Sequence, residues 1–234
     1  LEARHLAGSA ALYRKLSKAI GRILDPAAFL KAKKLEQEQR HAKHRDTPFA
    51  LEPNLKESPG GLRDLQVIRW IAQACGIGRH WRDLASQGLL QKGEALRLAR
   101  HETALQDLRI RLHYLAGRRE DRIAFDYQDA LALQCGYAAK PSRRASEQLM
   151  QAYYRHAKAI TQLNTILLQN LQARFAPEAE TAPRVLNERF QARGTLLEAR
   201  REDLFEREPR AILESFLLMQ QHGDLRGMSA ATLR

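Results

Sequence analysis

A mainly α, bundle-like multi-helix protein with one small β-hairpin is what this sequence predicts. Three observations lead there. Apolar residues recur at helical spacing through several long windows. Those windows start or stop at helix punctuation such as Pro26, Gly117 and Gly136. Only one short stretch, around Gly194, alternates apolar and polar residues as a strand pair does.

The elements follow in order. Leu12, Leu16, Ile20, Ile23 and Leu24 recur at helical spacing, and Ser9 caps them. Asp25-Pro26 opens a second helix, "PAAFLKAKKLEQEQRHAKHRD", with proline in its first turn. That helix is mostly polar and is expected to pack only through Phe29 and Leu35. His41 and His44 lie three apart on it, but with no third ligand at usable spacing they read as part of a solvated basic face. "TPFALEPN" holds two prolines and is extended. The next helix shows one apolar face through Leu62, Leu65, Ile68, Ala72 and Cys75.

Residues 91–116 read as a long helix with Leu98, Leu105, Leu108, Leu112 and Leu115 in register, ended by Gly117. A charged exit, "GRREDRIAFDYQ", leads to a shorter helix over 127–135. A second long helix runs over 146–175, its seam through Leu149, Tyr153, Ile160, Leu163 and Leu167 close to heptad spacing. His156 falls on this seam and reads as a core histidine. "APEAETAP" is the linker candidate, "RVLNERFQARGTLLEAR" the hairpin, and "EPRAILESFLLMQQH" a last helix.

Composition narrows the function classes. At 234 residues and 44% hydrophobic, the chain is long enough to bury a core. Its longest apolar runs fall far short of the ~20 residues that span a bilayer. No signal-peptide pattern is seen, and the abrupt start reads as a piece of a longer chain. Cys75 and Cys135 lack metal-knuckle spacing and suit a reducing, cytoplasmic compartment. A net charge of +12 raises a nucleic-acid partner, yet 27 acids are mixed among 39 bases and no aromatic recognition motif accompanies them. A basic nucleic-acid module is therefore the rival class, and steep salt dependence would reveal it.

The stretch "LEPNLKESPGGLRDLQ", residues 51–66, sets two glycines at the mouth of a buried helix. Such glycines either let the backbone pass close to another element or leave amides free for an anion at the helix start. Lys56 and Arg63 on either side of Gly60 and Gly61 suit a phosphate, through charge-assisted hydrogen bonds. Packing and phosphate binding both stay open at this level.

The run "EPNLKESPGGLRDLQ" closely resembles a segment that follows the nucleotidyltransferase core of bacterial protein-PII uridylyltransferase/uridylyl-removing enzymes. "LEARHLAG", "LHYLAGRREDRIAFDYQ", "LNERFQARGTLLEA" and "LLMQQHGDLRGMSAATLR" match the same family in the same order. Glutamine synthetase adenylyltransferase shares the lysine, glycine-pair and apolar-Arg-acid pattern and is the runner-up; the "EPN" and "GRRED" blocks favour the uridylyltransferase.

The resemblance implies transfer of UMP from UTP to a tyrosine of the PII signalling protein with Mg²⁺, and its removal by a phosphohydrolase domain under glutamine control. Residues 1–60 would hold the end of the nucleotidyltransferase domain, with a remnant strand at "LEARHLAG", and connecting helices. Residues 61–234 would form the central helical domain. The family's Asp-x-Asp and His-Asp pairs do not occur in this sequence, so the chain alone is expected to be silent. Glu2 resembles the family's third metal-binding carboxylate, an acid of the kind that holds Mg²⁺ against a triphosphate; its other reading is a partly exposed strand glutamate. Lys56, Gly60, Gly61 and Arg63 are the candidate nucleotide contacts if the elbow holds a phosphate, and packing residues if it does not. Arg118 and Arg119 of "AGRREDR" either face UTP phosphates or the acidic face of a protein substrate, or form a solvated cap at a helix end.

Overall fold

The computed structural model describes residues 3–177 and 182–234. It divides into two compact units, Leu1–Asn164 and Thr165–Arg234. Glu2 and part of the linker candidate lie outside the described residues. The segment over residues 3–9 carries no regular secondary structure.

In the first unit, α1 (Ala10–Ile23) starts where expected, with Ser9 Oγ accepting from the Leu12 amide at 3.4 Å. Its apolar stripe buries nothing: Leu16 is 55% exposed and no α1 residue is buried. Helix α2 (Pro26–Lys43) begins at Pro26, with Asp25 accepting from the Ala27 amide at 2.9 Å. Here the expected stripe shifts. Leu30 and Gln37, seven apart, are the buried residues of α2, whereas Leu35 is 54% exposed. Helix α2 packs on α3, and its Arg40 makes an ion pair with Asp64 of α3 at 2.7 Å.

Helix α3 (Leu62–Ala74) is buried nearly all round, through Leu62, Leu65, Val67, Ile68, Ile71 and Ala72. The short α4 (Trp81–Ser86) packs against α5 (Lys92–Ala116), which ends at Gly117 with φ +63°. Only glycine adopts that conformation cheaply, so the helix stops there. Leu98, Leu105, Leu108 and Leu112 are buried along α5. Helix α6 (Phe125–Gln134) follows, and α7 (Ala145–Phe175) carries the long seam; Leu149, Tyr153, Ile160, Leu163 and Leu167 are all buried. Leu105→Ala and Leu163→Ala are each expected to cost about 2–5 kcal/mol, the range for deleting a buried leucine. Urea unfolding midpoints check this, and an unmoved midpoint in both would mean that neither stripe is core.

His156 meets His101 of α5 with their Nδ1 atoms 2.8 Å apart. One ring must donate and the other accept, so the pair holds at most one proton on that contact. Burial lowers both pKa values, and the neighbouring His156 and Arg97 charges lower His101 further. A depressed folded-state pKa gives stability that is present above the ordinary value of 6.5 and is lost as pH falls through the folded value. Stability of the wild-type chain should therefore drop below about pH 6.5, and His156→Gln should flatten that limb. Denaturant midpoints from pH 7 to pH 5 read the difference.

The second unit contains the expected hairpin and more. β2 (Phe190–Arg193) and β3 (Leu196–Ala199) pair antiparallel across Gly194, whose φ of +56° suits a tight turn. β1 (Arg184–Val185) adds to β2, and β4 (Gly227–Met228) lies parallel to β3, completing the order β1-β2-β3-β4. Two-residue strands such as β1 and β4 leave no period to read in the sequence. Phe190, Ala192 and Leu197 of the hairpin pack with Leu204 of α8 (Leu204–Arg207), Ala211 and Leu218 of α9 (Ala211–Gln221), and Leu225.

Candidate functional site

The glycine elbow is built by its own side chains. Asn54 Oδ1 accepts from the amides of Lys56 (3.0 Å) and Glu57 (2.7 Å), while Ser58 Oγ accepts from the Asn54 amide at 2.9 Å. This Asx-type turn closes the loop without a helix or a strand. The chain then enters α3 with its first amides already bonded: Leu62 to the Leu55 carbonyl (3.0 Å), Arg63 to the Lys56 carbonyl (2.8 Å) and Asp64 to the Gly61 carbonyl (3.1 Å). Amides at a helix start are open to an anion only when nothing else bonds them. Here the loop's carbonyls have taken them.

Both glycines sit where a side chain does not fit. A Cβ on Gly60, at φ +76°, would lie 2.2 Å from the Ala157 carbonyl oxygen of α7. One on Gly61 would lie 2.8 Å from the carbonyl oxygens of Lys56 and Ser58. The elbow is thus the place where the loop backbone touches α7, and its geometry is that of close approach.

An anion does sit at the elbow, and it is the chain's own. Asp64, third residue of α3 and fully buried, accepts from the Gly60 amide through Oδ2 at 2.7 Å. Its Oδ1 takes Arg40 Nη2 at 2.7 Å and His41 Nε2 at 2.9 Å, both from α2. Arg40 also donates to the Glu57 carbonyl at 2.9 Å. An acid at the third helical position reaching back to a preceding amide is a helix-start signal legible in the sequence. The arginine that neutralises it, on a helix that reads as solvated, is not. His41 and His44 correct that expectation: His41 bonds Asp64, and His44 Nδ1 lies 3.4 Å from Ser58 Oγ.

Of the candidate nucleotide contacts, Gly60 and Gly61 are buried in the elbow, while Lys56 and Arg63 lie together at its partly exposed edge. Glu57 collects Lys56 (3.3 Å), Arg63 (3.2 Å) and, more distantly, Arg40 (3.8 Å). Burial pushes the Glu57 carboxyl up, but hydrogen bonds and charge from Arg63 and Lys56 outweigh it, and the net pKa is lowered. Arg63 also donates to Gln66 Oε1 at 2.9 Å and lies over the Trp70 ring, 5.2 Å from its centroid. Lys33 approaches the same ring at 5.0 Å.

The "EPN" and "GRRED" blocks meet in space. Leu55 donates its amide to the Asp121 carbonyl (2.7 Å) and Ile123 donates to the Pro53 carbonyl (2.9 Å), with an antiparallel bridge at Asn54 and Arg122. Glu52 pairs with Arg122 at 2.5 Å and accepts from the Phe125 amide at 2.9 Å. Asp121 is held by Arg109 (2.6 Å) and His113 (3.1 Å), and the hydrogen bonds from these two side chains and the Arg109 charge outweigh burial to keep its carboxyl below the usual range. Arg118 is 69% exposed and pairs with Glu120 at 2.8 Å, and Arg119 is exposed; among the described residues neither bonds the elbow. No three His, Cys, Asp or Glu side chains converge as a metal site among the described residues. Glu2, the residue the resemblance assigns to Mg²⁺, lies outside them.

Residues 28–168 match the family described as GlnD PII-uridylyltransferase, and residues 190–234 match one described as Uridylyltransferase GlnD third domain. Relatives named bifunctional uridylyltransferase/uridylyl-removing enzyme are similar over the whole chain: 55% identical in Nitrosospira multiformis, and 53% in both Aromatoleum aromaticum and Bordetella pertussis. The chain spans only 26–27% of the length of these relatives. No solved structure matches it at a significant level. No helix among the described residues is long and apolar enough to cross a membrane.

Proposed function

Because this chain belongs to the GlnD PII-uridylyltransferase family, we propose that it is the helical brace of a cytoplasmic enzyme of that kind. That enzyme moves UMP from UTP to a tyrosine of the PII signalling protein, uses Mg²⁺, and removes the group again under glutamine control. The observation that carries the bracing role is the Asp64 network. One buried carboxylate ties α2, the elbow and α3 together, while Gly60 seats the elbow on α7. Catalysis of nucleotidyl transfer depends on positioning and charge placement, and a clasp of this kind holds a neighbouring site in register. The adenylyltransferase and nucleic-acid readings lose ground to the family match and to the interleaving of acids with bases.

A second reading concerns the outer edge alone. Lys56, Arg63 and Arg40 surround Glu57, so this edge carries more positive than negative charge around that carboxylate. Lys56 and Arg63 would then steer the nucleotide's phosphates as well as fix the loop.

The experiment has two parts. The 234-residue chain, given UTP, Mg²⁺ and PII, is expected to transfer no UMP above buffer; transfer by the chain alone would overturn the bracing role. In the full enzyme, Arg63→Ala is expected to leave KM for UTP within about twofold if Arg63 only braces. A rise of about tenfold or more, with an unchanged melting temperature, would assign it to phosphate, since a charged hydrogen bond is worth roughly 1.5–3 kcal/mol.

A further inference from the structure

Away from the elbow, α3, α4 and the first half of α5 line an open cavity of about 780 Å³. Its walls carry Arg69, Arg79, Arg82 and Lys92, against a single acid, Glu102. That acid is already engaged. It lies buried, accepting from the Trp81 indole at 2.9 Å and pairing with Arg69 at 2.8 Å. Arg69 in turn lies over the Trp81 ring at 5.6 Å. Arg79 and Lys92, both exposed, make no ion pair among the described residues, and Arg82 has only a 3.9 Å contact with Asp83. Ala95, Leu96 and Ala99 give the α5 side an apolar surface.

The rim is held in place. Asp83 Oδ2 accepts from the amides of Arg79 (3.0 Å) and His80 (2.9 Å), and those hydrogen bonds keep its pKa low. Gly78, at φ +144°, lies so close that a Cβ there would meet the Asp83 side chain at 2.3 Å. The turn that presents Arg79 is therefore fixed by a glycine and a carboxylate rather than left to wander.

We propose that this cavity is a binding site for a small amphipathic anion, an apolar or aromatic body bearing a sulfonate, carboxylate or phosphate. The body lies along Leu96 and the neighbouring alanines, and the anionic group takes the charge of Arg79 and Lys92. Cavities of ~300–1,000 Å³ with apolar walls and a few placed polar groups are the usual form of small-ligand sites. Unneutralised arginine and lysine at the mouth select an anion. This inference stands apart from the family reading.

Anilinonaphthalenesulfonate and its uncharged relative N-phenylnaphthylamine are the probes. The folded chain is expected to bind the sulfonate at one saturable site and to quench Trp81 in a Trp70→Phe background, where Trp81 is the single tryptophan. The uncharged probe is expected to bind at least about tenfold more weakly. Reversing two charges, Arg79→Glu with Lys92→Glu, is expected to weaken sulfonate binding about tenfold to a hundredfold, while Lys158→Glu on α7 leaves it unchanged. If the double reversal shifts the melting temperature, the milder Arg79→Gln with Lys92→Gln serves in its place. Equal affinity for the two probes would overturn the proposal. So would sulfonate affinity within about twofold of wild type in the charge variants.

Discussion

Gly60→Ala is expected to destabilise the chain by about 2–5 kcal/mol. A left-handed backbone costs an alanine roughly 1–2 kcal/mol, and forcing a methyl into a filled space adds about 1–3 kcal/mol. The second term exists here because the Cβ would fall 2.2 Å from the Ala157 carbonyl oxygen, inside any tolerable contact. The contact does not yield easily, since every atom the methyl meets is Ala157 backbone. Gly136 provides the comparison: its φ is +80°, but a Cβ there meets nothing within 4 Å. Gly136→Ala should pay only the backbone term, about 1–2 kcal/mol. Urea unfolding of the two variants separates strain from contact. Equal losses would mean that the approach to α7 contributes nothing.

The second large effect is at Asp64. Its side chain is fully buried and that of Arg40 is 10% exposed, so removing the carboxylate strands a buried guanidinium and the Gly60 amide. Breaking one partner of such a pair costs about 3–5 kcal/mol. Asp64→Ala is expected to lose that amount. Replacing both partners with apolar residues of similar volume, Asp64→Leu with Arg40→Met, is expected to recover much of it, because the charge is then gone from both sides. A double variant as unstable as the sum of the singles would show that the pair is not coupled. His41 limits the recovery, since it too bonds Asp64 at 2.9 Å and would be left facing a leucine.

Periodic burial was the most readable part of the chain. The stripes through Leu98, Leu105, Leu108 and Leu112, and through Leu149, Tyr153, Ile160 and Leu163, are buried as their spacing implies. Helix α1 marks the limit of that signal. Its stripe is as regular, yet its leucines are exposed, because a period shows that a face is apolar and not which element covers it. Helix α4 carries no periodic signal for another reason: six residues give fewer than two turns, too few for any period.

Sequence by itself determined the helical class, the hairpin turn at Gly194, the starts at Ser9 and Pro26, the stop at Gly117, and the ordered motif blocks that mark the family. These are local properties: a cap, a glycine's left-handed φ, a spacing of apolar residues. Tertiary structure alone decided what the glycine elbow meets. Its amides are bonded by carbonyls of its own loop, its glycines press on Ala157 far along the chain, and its acid is neutralised by Arg40 from a helix whose polar face looked made for water. An anion site and a packing site share one local sequence, because both need a small residue and free backbone at a helix start. Which of the two forms depends on the atoms that fold against it.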